Sequence, residues 1–107
     1  MNGVYLRFYV HENRRVHGRL LYEWLLERGR QLGIGGGTAL KAMASYGRNG
    51  VLHEAKFFEL AGDLTVEVGF VASEEQAAAL LDAVSAERIS IFYSRVAAEF
   101  GVVDGEA

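Results

Sequence analysis

The chain has 107 residues, half of them hydrophobic, with a net charge of −3 and 13 glycines but neither proline nor cysteine. That length and apolar content predict one folded domain over residues 1–107 rather than a disordered chain. The absent cysteines exclude disulfides and thiolate chemistry, and the acidic balance lacks the charge footprint of a nucleic-acid binder. No apolar run approaches the roughly 18 residues of a bilayer span. MNGVYLRFYV lacks the charged leader and cleavage site of a secretory signal, so the expected location is cytoplasmic.

In chain order, Val4, Leu6, Phe8 and Val10 alternate with Tyr5, Arg7, Tyr9 and His11, which predicts a strand buried on one face. From Val16 to Leu32 the apolar residues recur at helical spacing, and Gly33 is placed to stop that helix. Thr38–Tyr46 reads as a second strand with Leu40, Ala42 and Ala44 inward and Lys41 and Met43 outward. Within SYGRNGVLHEAK, Asn49–Gly50 suits a two-residue hairpin turn that pairs residues 51–60 back on that strand. The alternative is a loop excursion over about 47–62 whose backbone amides, with Arg48 and Lys56, meet an anion. Leu64, Val66, Val68 and Phe70 give a third strand. Ser73-Glu74-Glu75-Gln76 is a capping box opening a second helix, and Ile89, Ile91 and Tyr93 start a last strand before a frayed tail at about 101–107.

The order β-α-β, loop, β-α-β predicts an α+β, ferredoxin-like sandwich: a four-stranded antiparallel sheet with two helices on one face. A small open α/β sheet is the alternative. Alternation leaves Tyr5, Tyr9, Met43 and Phe92 on the sheet face without helices. So much apolar surface predicts coverage by other copies of the chain, these four forming the oligomer interface.

The chemistry-bearing motifs are few. GIGGGT, residues 33–38, follows a helix and precedes a strand, the reverse of a dinucleotide fingerprint, and reads as a connector. His11, His17 and His53 have no metal-ligand spacing, and no Ser–His–Asp or paired-carboxylate pattern stands out, so neither a metal centre nor catalysis is expected.

His17-Gly18-Arg19-Leu20-Leu21-Tyr22-Glu23, then Gly37-Thr38-Ala39-Leu40 through Tyr46-Gly47, then Leu52-His53-Glu54-Ala55-Lys56, in that order, resemble the motifs of the uncharacterised PII-like proteins of bacteria and archaea. These are relatives of the nitrogen-regulatory PII and CutA proteins, and the likeness spans about residues 3–100. The resemblance implies a homotrimer whose sheets face the three-fold axis, and an adenine nucleotide bound between subunits. It also implies a loop, here the 47–62 stretch, that contacts a target enzyme or transporter. Carried onto this chain, the effector-binding residues are Gly47, Arg48, His53 and Lys56 beside the loop, with His17 and Arg88. The glycine- and lysine-rich phosphate loop of PII proteins is replaced by Ser85-Ala86-Glu87-Arg88-Ile89, where Arg88 alone can hold a phosphate. A CutA-like metal-responsive protein using His11, His17 or His53, and a small ferredoxin-like enzyme with Arg7 or His11 in a pocket, are the other functions such a fold admits.

Overall fold

The computed structural model describes residues 1–47, 52–54 and 64–105, with the backbone alone at 52–54. Strand β1 (Asn2–His11) is followed by two short strands, β2 (Arg15–Val16) and β3 (Arg19–Leu20), then helix α1 (Leu21–Gln31). Next come β4 (Gly37–Lys41), β5 (Ala44–Tyr46), β6 (Leu52–Glu54), β7 (Thr65–Ala72), helix α2 (Glu74–Ala86) and β8 (Phe92–Glu99). The main sheet has four strands in the order β4-β7-β1-β8, with every neighbouring pair antiparallel. Both helices lie on one face, so the architecture is the α+β ferredoxin-like sandwich that the element order predicts.

Alternation in β1 accounts for the core. Val4, Leu6, Phe8 and Val10 are buried with Val66, Val68 and Phe70 of β7, and against them pack Leu21 and Leu25 of α1 and Ala77, Leu80 and Val84 of α2. Phe70 fills space that two glycines leave open. A Cβ at Gly29 or Gly37 would lie 2.5 or 2.7 Å from its ring. The second helix starts as its sequence requires: the Ser73 hydroxyl accepts from the Gln76 amide, and the Gln76 side chain accepts from the Ser73 amide. Gly33 takes a φ of +83° just beyond α1, where a side chain would be strained.

Four expectations need correction. The first helix begins at Leu21 rather than Val16, because Arg15 to Leu20 form a hairpin instead. His17 and Gly18 turn it with φ values of 52° and 74°, and positive φ at both central residues is the type I′ requirement. The second strand breaks after Lys41, and its phase is inverted. Leu40 pairs with Glu67 and Lys41 with Val66, so Leu40 lies on the open face and Lys41 on the helix side, with Nζ 3.5 Å from Glu12 Oε2. Strand β4 is short and sits at the sheet edge, so its apolar content is too small to set its phase. Finally, Tyr46 stands opposite Leu52, where a two-residue Asn49–Gly50 turn would set it opposite His53. Residues 48–51 and 55–63 lie outside the described residues. The last strand also starts later than Ile89. Ile89 and Ile91 instead pack on the core as the chain enters β8.

Candidate functional site

Topology gathers one set of loops at a single end of the sandwich. Strand β1 ends there at His11, β4 ends at Lys41, and β7 and β8 begin there at Thr65 and Phe92. The β2–β3 hairpin, the last turn of α2 and the β5–β6 ribbon all leave from this end.

The His17 turn meets the end of α2. Nε2 of His17 contacts Oε1 of Glu87, the C-cap residue. A carboxylate is disfavoured at a helix C-terminus by the macrodipole, so the histidine supplies the compensating partner. Arg88 follows with a φ of 56°, and Arg14 donates from Nη1 to the Ser90 carbonyl at 2.7 Å, tying hairpin to helix end. Arg15 donates to the Gly18 carbonyl at 3.0 Å, bracing the turn. Arg14, Arg15, His17, Arg19 and Arg88 make this corner basic although the whole chain is acidic.

His17 and Arg88 are the only two non-glycine residues with positive φ among the described residues. That conformation costs about 1–2 kcal/mol for a residue with a Cβ. Arg88→Gly and His17→Asn are therefore expected to leave stability unchanged or raise it by up to about 1 kcal/mol each, after the larger unfolded-state entropy is deducted. Urea unfolding checks this, and a loss beyond that range would show that the side chains themselves hold the corner together.

Of the four loop-side candidates, Gly47 and His53 lie at the ribbon. Ser45 of β5 is anchored to the main sheet through its hydroxyl, 2.9 Å from that of Thr65, and the Ala42 amide donates to the Thr65 carbonyl. Gly47 ends the strand with open space about its Cα, and His53 stands opposite Ser45. Arg48 and Lys56 lie outside the described residues. The structure thus brings His17 and Arg88 together, and places Gly47 and His53 on a ribbon rooted at the same end. Nothing local in the sequence links His17 to Glu87, 70 residues away. Arg14, Arg15 and Arg19 also escape sequence reasoning, because no motif or spacing sets them apart from other charged residues. Among the described residues no three histidine or acidic side chains converge as a metal site would require.

The open face of the sheet is a second feature. Directly paired residues share a face, so Tyr5, Tyr9, Leu40, Val71, Phe92 and Val96 lie together there. Phe92 is 54% exposed and Leu40 57%, while Tyr5 and Tyr9 are half-buried. Tyr9 and Phe92 rings stand 5.7 Å apart, and Tyr5 lies over Gly69 with the Arg7 guanidinium 5.2 Å from its ring centre. Nε of Arg7 and the hydroxyl of Ser94, facing each other across β1 and β8, are shut off from solvent without a hydrogen-bond partner among the described residues. Met43, 84% exposed, falls in the break between β4 and β5 rather than in a strand. At the far end of the sandwich, Glu74, Glu75 and Glu99 line a shallow acidic depression.

An antiparallel four-stranded sheet in this order with two helices on one face defines a ferredoxin-like fold. A solved structure from Thermus thermophilus, described as a PII-like signaling protein, superposes with a TM-score of 0.62 at 19% identity, covering 91% of this chain and 87% of that one. The model of the DUF190 family, described as uncharacterized ACR, matches residues 3–90. A UPF0166 protein of Aquifex aeolicus (strain VF5) is 34% identical over 71 residues, 66% of this chain and 68% of that protein. The chain belongs to the DUF190 family, and it shares the fold of that Thermus protein. Among the described residues no helix is long and apolar enough to cross a membrane.

Proposed function

We propose that this chain is a non-catalytic PII-like regulatory protein of the cytoplasm. It forms a homotrimer through the open sheet face and binds a small anionic effector, an adenine nucleotide, between subunits. The observation that carries this reading is the meeting at one end of the sandwich of the basic His17–Arg88 corner and the root of the β5–β6 ribbon. An anion held there by His17 and Arg88, with Gly47, Arg48, His53 and Lys56 on the loop side, orders the loop and changes the surface offered to a target enzyme or transporter. The apolar open face, with Arg7 Nε and Ser94 Oγ lacking partners among the described residues, supports self-association.

Calorimetric titration of the folded assembly with ATP, ADP and AMP tests the nucleotide. One of the three is expected to bind, and His17→Ala with Arg88→Ala to weaken it about tenfold or more, the scale of a charge-assisted hydrogen bond. Silence across all three would remove the nucleotide from the proposal.

A further inference from the structure

A groove of about 280 Å³ runs along the outer surface of the helix layer, between α1 and α2. It exists because the facing side chains differ in size. Helix α1 presents Trp24 and Arg28, whereas α2 presents only Ala83 and Ala86. Trp24 packs on the core with one side while bordering the groove with the other, and it is the only tryptophan in the chain.

Two carboxylates also border the groove, and both are engaged with other groups. Glu27 accepts from Nη2 and Nε of Arg30 at 2.7 and 3.1 Å. That hydrogen bond, then the charges of Arg30 and Arg19, holds its carboxyl below the ordinary range. Glu87 is taken by His17. The two groove arginines are less committed. Arg28 donates to the neutral amide of Gln31 at 3.0 Å, and the Arg19 side chain has no hydrogen bond to any described residue. The result is an aromatic ring over a floor of small side chains, with two guanidinium groups at the margin.

We propose that this groove binds a small organic anion bearing a planar ring. The ring lies against Trp24 over Ala83 and Ala86, and its carboxylate or phosphate takes the guanidiniums of Arg19 and Arg28. The volume sits just under the roughly 300–1,000 Å³ usual for small-molecule sites, which limits the ligand to one or two rings and one anionic group. This groove adjoins the basic corner, with Arg19 and Glu87 common to both, but its ring seat on Trp24, Ala83 and Ala86 lies on the outer helix face and uses neither His17 nor Arg88.

Because Trp24 is the sole tryptophan, its emission reports on the groove directly. The full-length protein is titrated with benzoate, AMP and inorganic phosphate. Benzoate or AMP is expected to change Trp24 emission saturably, which of the two does so identifying the ring class, whereas phosphate has no ring to seat and binds at least tenfold more weakly, the factor that roughly 1.4 kcal/mol gives. Arg19→Ala with Arg28→Ala, which alters no core residue, should weaken binding about tenfold or more. Ala83→Leu, which fills the floor and spares both arginines, should abolish it. Arg88→Ala should leave it unchanged, separating this groove from the effector site. The proposal is overturned if no probe gives a saturable change, if phosphate matches the ringed probes, or if the double arginine variant binds like the parent.

Discussion

Truncating Phe70 to alanine is expected to cost about 3–5 kcal/mol of folding stability, the range for a fully buried phenylalanine. Phe70 is 2% exposed and packs edge-on against Phe8, with ring centres 6.3 Å apart. Its ring occupies the gap between Gly29 of α1 and Gly37 of β4, and neither neighbour has a side chain that can relax into the hole. The loss should therefore fall at the upper end of that range. The reverse change probes the same fit. Alanine is favoured over glycine by about 1 kcal/mol inside a helix, yet Gly29→Ala should destabilise by about 1–3 kcal/mol because its methyl meets a ring that cannot retreat. Combining Gly29→Ala with Phe70→Leu should cost less than the sum of the two, since the smaller side chain makes room for the methyl. Urea unfolding of the four proteins decides it. A stabilising Gly29→Ala, or strict additivity, would mean that Gly29 and Phe70 do not share one packing site.

Phe92→Glu is expected to convert the proposed trimer to single chains. In the open face Phe92 lies against Tyr9 and is 54% exposed, apolar surface that another copy would remove from water in the proposed trimer. A carboxylate buried there without a partner costs several kcal/mol, enough to outweigh a small interface. Val102→Glu is the control: Val102 is 93% exposed in the C-terminal segment beyond β8, so that change should leave the mass untouched. Light scattering coupled to gel filtration reads both. If the parent protein itself runs as one chain at micromolar concentration, the trimer is lost and the inter-subunit effector site with it.

What was legible in the sequence follows from how local each signal is. Strand β1 shows because four buried residues alternate without interruption, and the start of α2 shows because a capping box is written in four consecutive residues. The βαβ order then leaves few sheet topologies, and the antiparallel one is found. The misread elements are short ones whose neighbours decide for them. Val16 and Leu20 fit a helical stripe equally well as the two strands of a hairpin, and the His17–Gly18 turn tips the balance. Strand β4 carries Ala39 and Gly37 inward against Phe70, small residues that a search for apolar periodicity passes over in favour of Leu40. The basic corner was half legible. His17 and Arg88 came from a resemblance, whereas Glu87 and Arg14 enter only once the chain is folded and 70 or more residues of separation vanish.

Arg14, Arg15, Arg19 and Arg88 gather at one end of the sandwich and Glu74, Glu75 and Glu99 at the other, so these two groups set a charge difference along the strands. Rotation about a cyclic axis cancels the part of each copy's dipole perpendicular to that axis and adds the part parallel to it. A closed ring of such chains would have two unlike rims despite its modest net charge. Salt would then act first on how the ring is oriented toward a charged surface, and only afterwards on how tightly it is held.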